Sequence, residues 1–175
     1  MGRYNARTIK GALYDKTEGR SKLLYDTVTV TYPDFELLSE TLRGVGINGE
    51  IDLPTYGQLG SLEVEISHNG LSQDTIRLFG QQKQELEHRW ASQVIDSERG
   101  SSEVVGKKVI MKCLPKKLGI GSIEPNKAEE PSSSFEVLYL KYIIGNQPVL
   151  EIDKLNDVFK VGNVDYSEAL RNILY

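Results

Sequence analysis

Apolar and polar residues alternate with a period of two along most of this chain, and that period predicts strands. Over 23–32, LLYDTVTVTY, it puts Asp26, Val28, Val30 and Tyr32 on one face and Tyr25, Thr27, Thr29 and Thr31 on the other. Over 61–68, SLEVEISH, Leu62, Val64 and Ile66 turn inward while Glu63, Glu65 and Ser67 turn outward. The segments 84–97, 103–114, 134–144 and 148–153 are rich in β-branched and aromatic residues and read as further strands. GNQP at 145–148 joins the last two as a tight hairpin turn. One stretch leaves this period: in NGLSQDTIRLFGQQ, Leu71, Thr75, Leu78 and Phe79 recur at helical spacing, with Ser72 as N-cap and Gly80 as stop. The closing DYSEALRNILY reads as a last helical turn or two. One helix among six or seven strands predicts a mainly β fold, an antiparallel sandwich or partly closed barrel with one flanking α-helix.

Two connections stand outside the alternation. IEPNKAEEPSSS, 123–134, is polar, holds two prolines and has no apolar period, so it predicts a loop. The longer one, from Pro33 to Gly60, joins the threonine-faced strand to the glutamate-faced one, and an unstructured link of that length inside a compact domain is uncommon. Gly44, Gly46 and Gly49 permit positive φ, and Pro54 and Gly57 punctuate the return, which suits a projecting, hairpin-like arm. Its apolar residues, among them Leu42, Val45, Ile47, Ile51 and Leu53, require a partner surface.

Composition narrows the function classes. At 175 residues with 39% hydrophobic content, the chain suits one domain over 1–175 with a real core. No apolar run has the length of a signal peptide core or a spanning helix, which predicts a chain made in a cytosol that does not itself bind membrane. The one cysteine, Cys113, lies in the apolar run VIMKCLP and reads as a buried small hydrophobe. The net charge of −4 is segmental: residues 104–120 carry five lysines and no acid, whereas residues 61–103 carry eight acids against four bases. Such blocks suit either a solvated surface or complementary faces that meet between copies.

Catalytic and cofactor chemistry finds little support. His68 and His88 lie in separate strands with no cysteine or acid at metal-ligand spacing, so no metal is expected. GVGING is not followed by the helix that a phosphate-binding loop presents, so no cofactor is expected. Glu63/Glu65 and Glu85/Glu87, at i and i+2 in strands, align on solvated faces. The lysine pairs at 107–108 and 116–117 lack a stacking platform for nucleic acid and read as protection of strand edges.

Two long blocks carry a resemblance. TYPDFELLSETLRGVGINGEIDLPTYGQLGSLEVEI, 31–66, is similar in its apolar-Pro strand end, Gly-x-Gly-x-x-Gly-Glu turn and Gly-x-x-x-Ser-apolar-Glu strand to the major tail tube proteins of contractile-tailed bacteriophages and phage-tail-like bacteriocins. VLEIDKLNDVFKVGNVDYSEALRNIL, 149–174, is similar to the same family's C-terminal block. The resemblance implies a non-enzymatic structural subunit, a homo-oligomer that forms hexameric rings stacked into a hollow tube within a contractile sheath, with four strands per subunit lining the channel. It implies as partners the sheath protein, a tape-measure protein and a baseplate or tube initiator. The particle is a virion tail or tailocin, assembled in the bacterial host cytoplasm, that serves DNA ejection or membrane puncture. Twenty-four strands about 4.8 Å apart and tilted about 40° give a barrel roughly 48 Å across, with roughly 40 Å left inside the side chains. Duplex DNA passes such a bore without specific binding if its wall is polar and not strongly cationic.

Within that frame Thr27, Thr29, Thr31, Glu63, Glu65 and Ser67 are expected to face the lumen, and Gly44, Gly46, Ile47, Gly49, Ile51 and Leu53 to form an arm reaching an adjacent subunit. Lys108 and Lys112, on another candidate lining strand, run against a non-cationic wall. Two other classes stay open from sequence: a monomeric β-sandwich binding module using the 33–60 loop, and an enzyme using Glu63 and Glu65, which requires a raised carboxyl pKa.

Overall fold

The structure, a computed structural model, describes residues 2–175. Its long strands are β1 (Arg3–Asp15), β7 (Gln84–Asp96), β8 (Ser102–Gly119) and β9 (Ser132–Ile144). Shorter ones are β2 (Lys22–Leu24), β3 (Thr27–Thr31), β4 (Leu37–Leu42), β5 (Ile51–Leu59), β6 (Glu63–His68), β10 (Gln147–Asp153), β11 (Val158–Val161) and β12 (Val164–Asp165). Two helices complete it, α1 (Gln73–Arg77) and α2 (Glu168–Leu174). Every pairing is antiparallel.

The layering follows from β8 and β9, each long enough to serve two layers. Residues 107–112 of β8 and 139–144 of β9 belong to a broad layer in the order β11-β10-β9-β8-β7-β1. Register irregularities at Lys112/Cys113 and Pro115/Lys117 interrupt the ladder, and such bulges bend strands. Beyond them, residues 114–119 of β8 and 132–136 of β9 join β6 and β3 in a four-stranded sheet. Val64, Ile66, Phe135 and Val137 meet Leu13, Leu86, Val109, Met111, Leu140 and Ile152 in one core cluster. The result is a sandwich; the sheet does not close into a barrel.

Local chemistry explains several element ends. The Ser72 hydroxyl accepts the Thr75 N–H at 3.3 Å and starts α1. The β9–β10 turn is Gly145–Asn146, with φ of 53° and 70°, the two left-handed positions that a tight hairpin needs, so Gln147 and Pro148 already lie in β10. Arg77, in the last turn of α1, reaches the buried Asp15 at 2.5 Å and ties the helix to the end of β1. A second helix, α2, accounts for the expected closing turns.

β1 is the longest strand the alternation did not predict; the short β11 and β12 were missed as well. Residues 3–11 are exposed throughout, so the stretch shows no buried face, and β7 alone pairs with it there.

Two buried groups give tests. Cys113 is fully buried, and burial pushes its thiol up to about 12. The native chain is expected to resist alkylation at pH 8 and to take up one equivalent on unfolding in urea, read by mass spectrometry. Burial drives the Glu87 carboxyl up, but hydrogen bonds from Lys16 and Arg89 overcome this and hold it below its ordinary value. A carboxylate depressed in the folded state contributes stability above its unfolded pKa and loses it as pH falls through the lower folded value. Glu87→Gln is expected to cost about 1.5–3 kcal/mol at neutral pH and to flatten the acid limb of stability in urea melts below about pH 4.5.

Candidate functional site

The polar outer face of the four-stranded sheet collects most of the residues singled out from sequence. Register sets them in rows: Thr31, Glu65, Ser134 and Lys117 lie opposite one another across β3, β6, β9 and β8, and Thr29, Ser67, Ser132 and Gly119 form the next row. Residues directly opposed share a face, so these side chains stand on one surface. The intervening row, Val30, Ile66, Ser133 and Leu118, turns toward the core. Thr29 and Ser67 hydroxyls bond each other across the strands.

Glu63 stands opposite Glu136 and is ion-paired to Lys116. That pairing, with a hydrogen bond from Ser134, holds its carboxyl below the usual range. A carboxylate acid catalyst requires the opposite shift. Glu136 is held from the other side by Lys154 at 3.1 Å and by Ser61 at 2.6 Å.

Thr27 departs from the expected face. A register irregularity lies between Thr27 and Thr29, so the alternation breaks there: Val28 is 60% exposed, and the Thr27 hydroxyl is buried without a hydrogen-bond partner among the described residues. The bulge reverses the sense of this one position. Lys108 and Lys112 also lie elsewhere. Both are in the first half of β8, on the outward face of the broad layer, where Lys108 stands opposite Arg89 and the Lys112 ammonium lies 5.2 Å from the Tyr139 ring centroid. The cations at the Thr/Glu face are instead Lys116, Lys117 and Lys154, equal in number to Glu63, Glu65 and Glu136. Ser132 and Ser134 were not singled out for the face because 123–134 carries no apolar period, and Lys116 and Lys117 read as edge protection beyond the strand predicted over 103–114. The SSS run followed by Phe135 is the one signal that the strand begins earlier.

Both side edges of this sheet are open. β3 pairs only with β6, and residues 114–119 of β8 pair only with β9. The two histidines are spent within the fold, His68 at 3.1 Å from the Ser133 hydroxyl and His88 at 2.7 Å from the Tyr32 hydroxyl.

The 33–60 segment holds a separate two-stranded sheet of β4 and β5. Its register sets Leu42 opposite Ile51 and Glu40 opposite Leu53 on one face. The other face carries the Thr41–Asp52 hydrogen bond at 2.6 Å and the Arg43–Glu50 ion pair at 2.8 Å. Leu42, Ile51 and Leu53 are 44%, 50% and 53% exposed, so this apolar face has no cover among the described residues. Gly46 and Gly49 take φ of 98° and 105° at the tip, values that L side chains rarely adopt. Gly44 lies in the same tip without that requirement, its carbonyl accepting the Ile47 N–H, and Ile47 is half-buried there, leaving Val45 as the bare tip residue.

Comparison with known proteins adds to this geometry. Residues 16–174 match the family model described as phage tail tube protein FII. Comparison with curated protein sequences gives no match. Among solved structures, the fold is similar to a chain of the PVC sheath/tube terminator of an extracellular contractile injection system in the extended state. The TM-score is 0.52 at 13% identity, over 81% of this chain and 96% of that one. It is also similar to a chain of the PVC sheath-tube complex in the extended state, with a TM-score of 0.50 at 12% identity over 77% and 87%. Identities this low speak for the fold alone, and the family match speaks for descent: the chain belongs to the phage tail tube protein family, a structural component of a tail tube and not an enzyme.

Proposed function

We propose that copies of this chain join side by side into six-membered rings that stack as the inner tube of a contractile tail or tail-like particle. The observation that carries this reading is the four-stranded sheet with a polar outer face and an unpaired strand at each side, β3 and residues 114–119 of β8. An open edge is a template for pairing, and two different edges on one sheet favour a heterologous, head-to-tail contact, which generates a ring where the rotation between copies closes. Pairing β3 of one copy with 114–119 of the next continues the sheet around the ring. Six copies contribute twenty-four strands, the number that fits a duplex-wide bore.

In this arrangement Thr29, Thr31, Glu63, Glu65 and Ser67 line the channel, with Thr27 set into the wall behind them. The wall is hydroxyl-rich, and two of its three lysines are held in ion pairs. A passing polyanion therefore meets no array of free cations to bind its phosphates, and DNA moves through without specific binding. The sheath surrounds the tube, a tape-measure protein and a baseplate or tube initiator are its further partners, and assembly takes place in the host cytoplasm. The neighbours that share the fold come from a sheath/tube terminator and a sheath-tube complex, which supports the sheath as a partner.

The test is negative-stain electron microscopy with light scattering at rising protein concentration, with and without a tail baseplate. Rings or hollow tubes of uniform bore are expected. A chain that stays monomeric under both conditions contradicts the proposal.

A further inference from the structure

The outward face of the broad layer holds an open trough of about 600 Å³ across β1, β7 and β8. Register gives it a floor of small residues: Lys10 stands opposite Ala91 and Gly106, and Ala12 opposite Arg89 and Lys108. A side chain added at Gly106 would meet nothing within 4 Å. Four basic residues, Lys10, Arg89, Lys107 and Lys108, border this floor, Lys107 hydrogen-bonded to Asn5. Arg89 is anchored by the buried Glu87 and lies 4.8 Å over the Tyr14 ring, whereas Lys10 and Lys108 have no ion-pair partner among the described residues. A shallow, small-residue floor with a basic rim accepts a flat, acidic, apolar element.

The chain supplies such an element in its own arm. Residues 33–60 carry five acids and one base. The uncovered face of β4–β5 sets Glu40 among Leu42, Ile51 and Leu53, and Glu36 and Glu40 have no ion-pair partner among the described residues. We propose that the trough formed by Lys10, Ala12, Arg89, Ala91, Gly106 and Lys108 is the seat for the β4–β5 hairpin of a second copy. Leu42, Ile51 and Leu53 lie on the small-residue floor, and Glu40 meets the lysines. Complementary charge selects the register of docking, while burial of the apolar stripe supplies the adhesion. This deepens the tube reading by naming the arm's receiver, and it rests on that reading for the second copy's presence.

The test mixes two variants in equal amounts under tube-forming conditions and oxidises them: one copy carries Leu53→Cys, the other Ala91→Cys. Both retain every charge, and Cys113 is buried and does not compete. Disulfide-linked dimers are expected to form at least about tenfold faster than with a Lys127→Cys partner, Lys127 being an exposed loop residue. Adding Glu40→Lys to the arm copy is expected to slow the cross-link several-fold, and Lys108→Glu on the receiving copy to restore it. Equal rates with Ala91→Cys and Lys127→Cys overturn the proposal, as does a charge swap that restores nothing. Microscopy of the same samples separates the two readings. Tubes without the Leu53–Ala91 link overturn the trough and leave the tube standing; cross-linked chains that build no ring or tube sustain the trough and count against the tube.

Discussion

Leu42→Ser, Ile51→Ser and Leu53→Ser, combined in one chain, are expected to leave the monomer folded and to raise the concentration needed for tube formation on the order of a hundredfold. Each of the three side chains is about half exposed in the isolated chain and lies outside the core cluster. Their buried halves lie outside the core cluster, so the core holds, and the monomer's melting temperature is expected to fall by no more than about 10 °C. In the proposed assembly the rest of their surface is buried. Full burial of a Leu or Ile is worth about 1.5–3 kcal/mol, so the remaining half contributes about 1 kcal/mol at each position, or roughly 2–4 kcal/mol per subunit contact. Light scattering against concentration reads the effect on assembly, and circular dichroism melts read the monomer. A variant that assembles at the wild-type concentration shows that the arm makes no contact that matters.

The opposite pattern is expected at Phe135. Its side chain is 1% exposed, on the half of β9 that lies between β6 and β8, and it packs in the cluster that joins the two layers. Phe135→Ala removes that contact and leaves a cavity, a loss of about 3–5 kcal/mol. For a chain of this size that corresponds to a melting temperature lower by roughly 8–15 °C. The neighbours Ser134 and Glu136 face the other way, so the substitution acts on the polar wall only by loosening its support. A fall of less than about 1 kcal/mol would show that the two layers do not depend on this contact.

The fold was legible where burial differs between the two faces of a strand. Leu62, Val64 and Ile66 against Glu63, Glu65 and Ser67 is such a case, and β6 has that arrangement. β1 was not legible because residues 3–11 are exposed on both sides, and a strand with no buried face leaves no period of two. The start of β9 was hidden in a serine run: Ser133 occupies an inward position by bonding to the buried His68, which no hydrophobic pattern reports. The bulge at Thr27 changes the sense of one threonine without any glycine or proline to mark it. The face of Lys108 and Lys112 depends on β8 serving two layers, and that is a property of strand register rather than of local sequence. The arm was read from Gly46 and Gly49, whose backbone conformations at the hairpin tip give those glycines a physical role.

The central claim is that the Thr/Glu face is the wall of a tube closed by the two open edges of its sheet. Helical reconstruction by electron cryomicroscopy of the assembled protein tests it most directly. The expected map shows β3 of one copy hydrogen-bonded to residues 114–119 of its neighbour, with Thr29, Thr31, Glu65 and Ser67 on the bore. A tube with this face turned outward, or rings whose β3 edges remain unpaired, would contradict it.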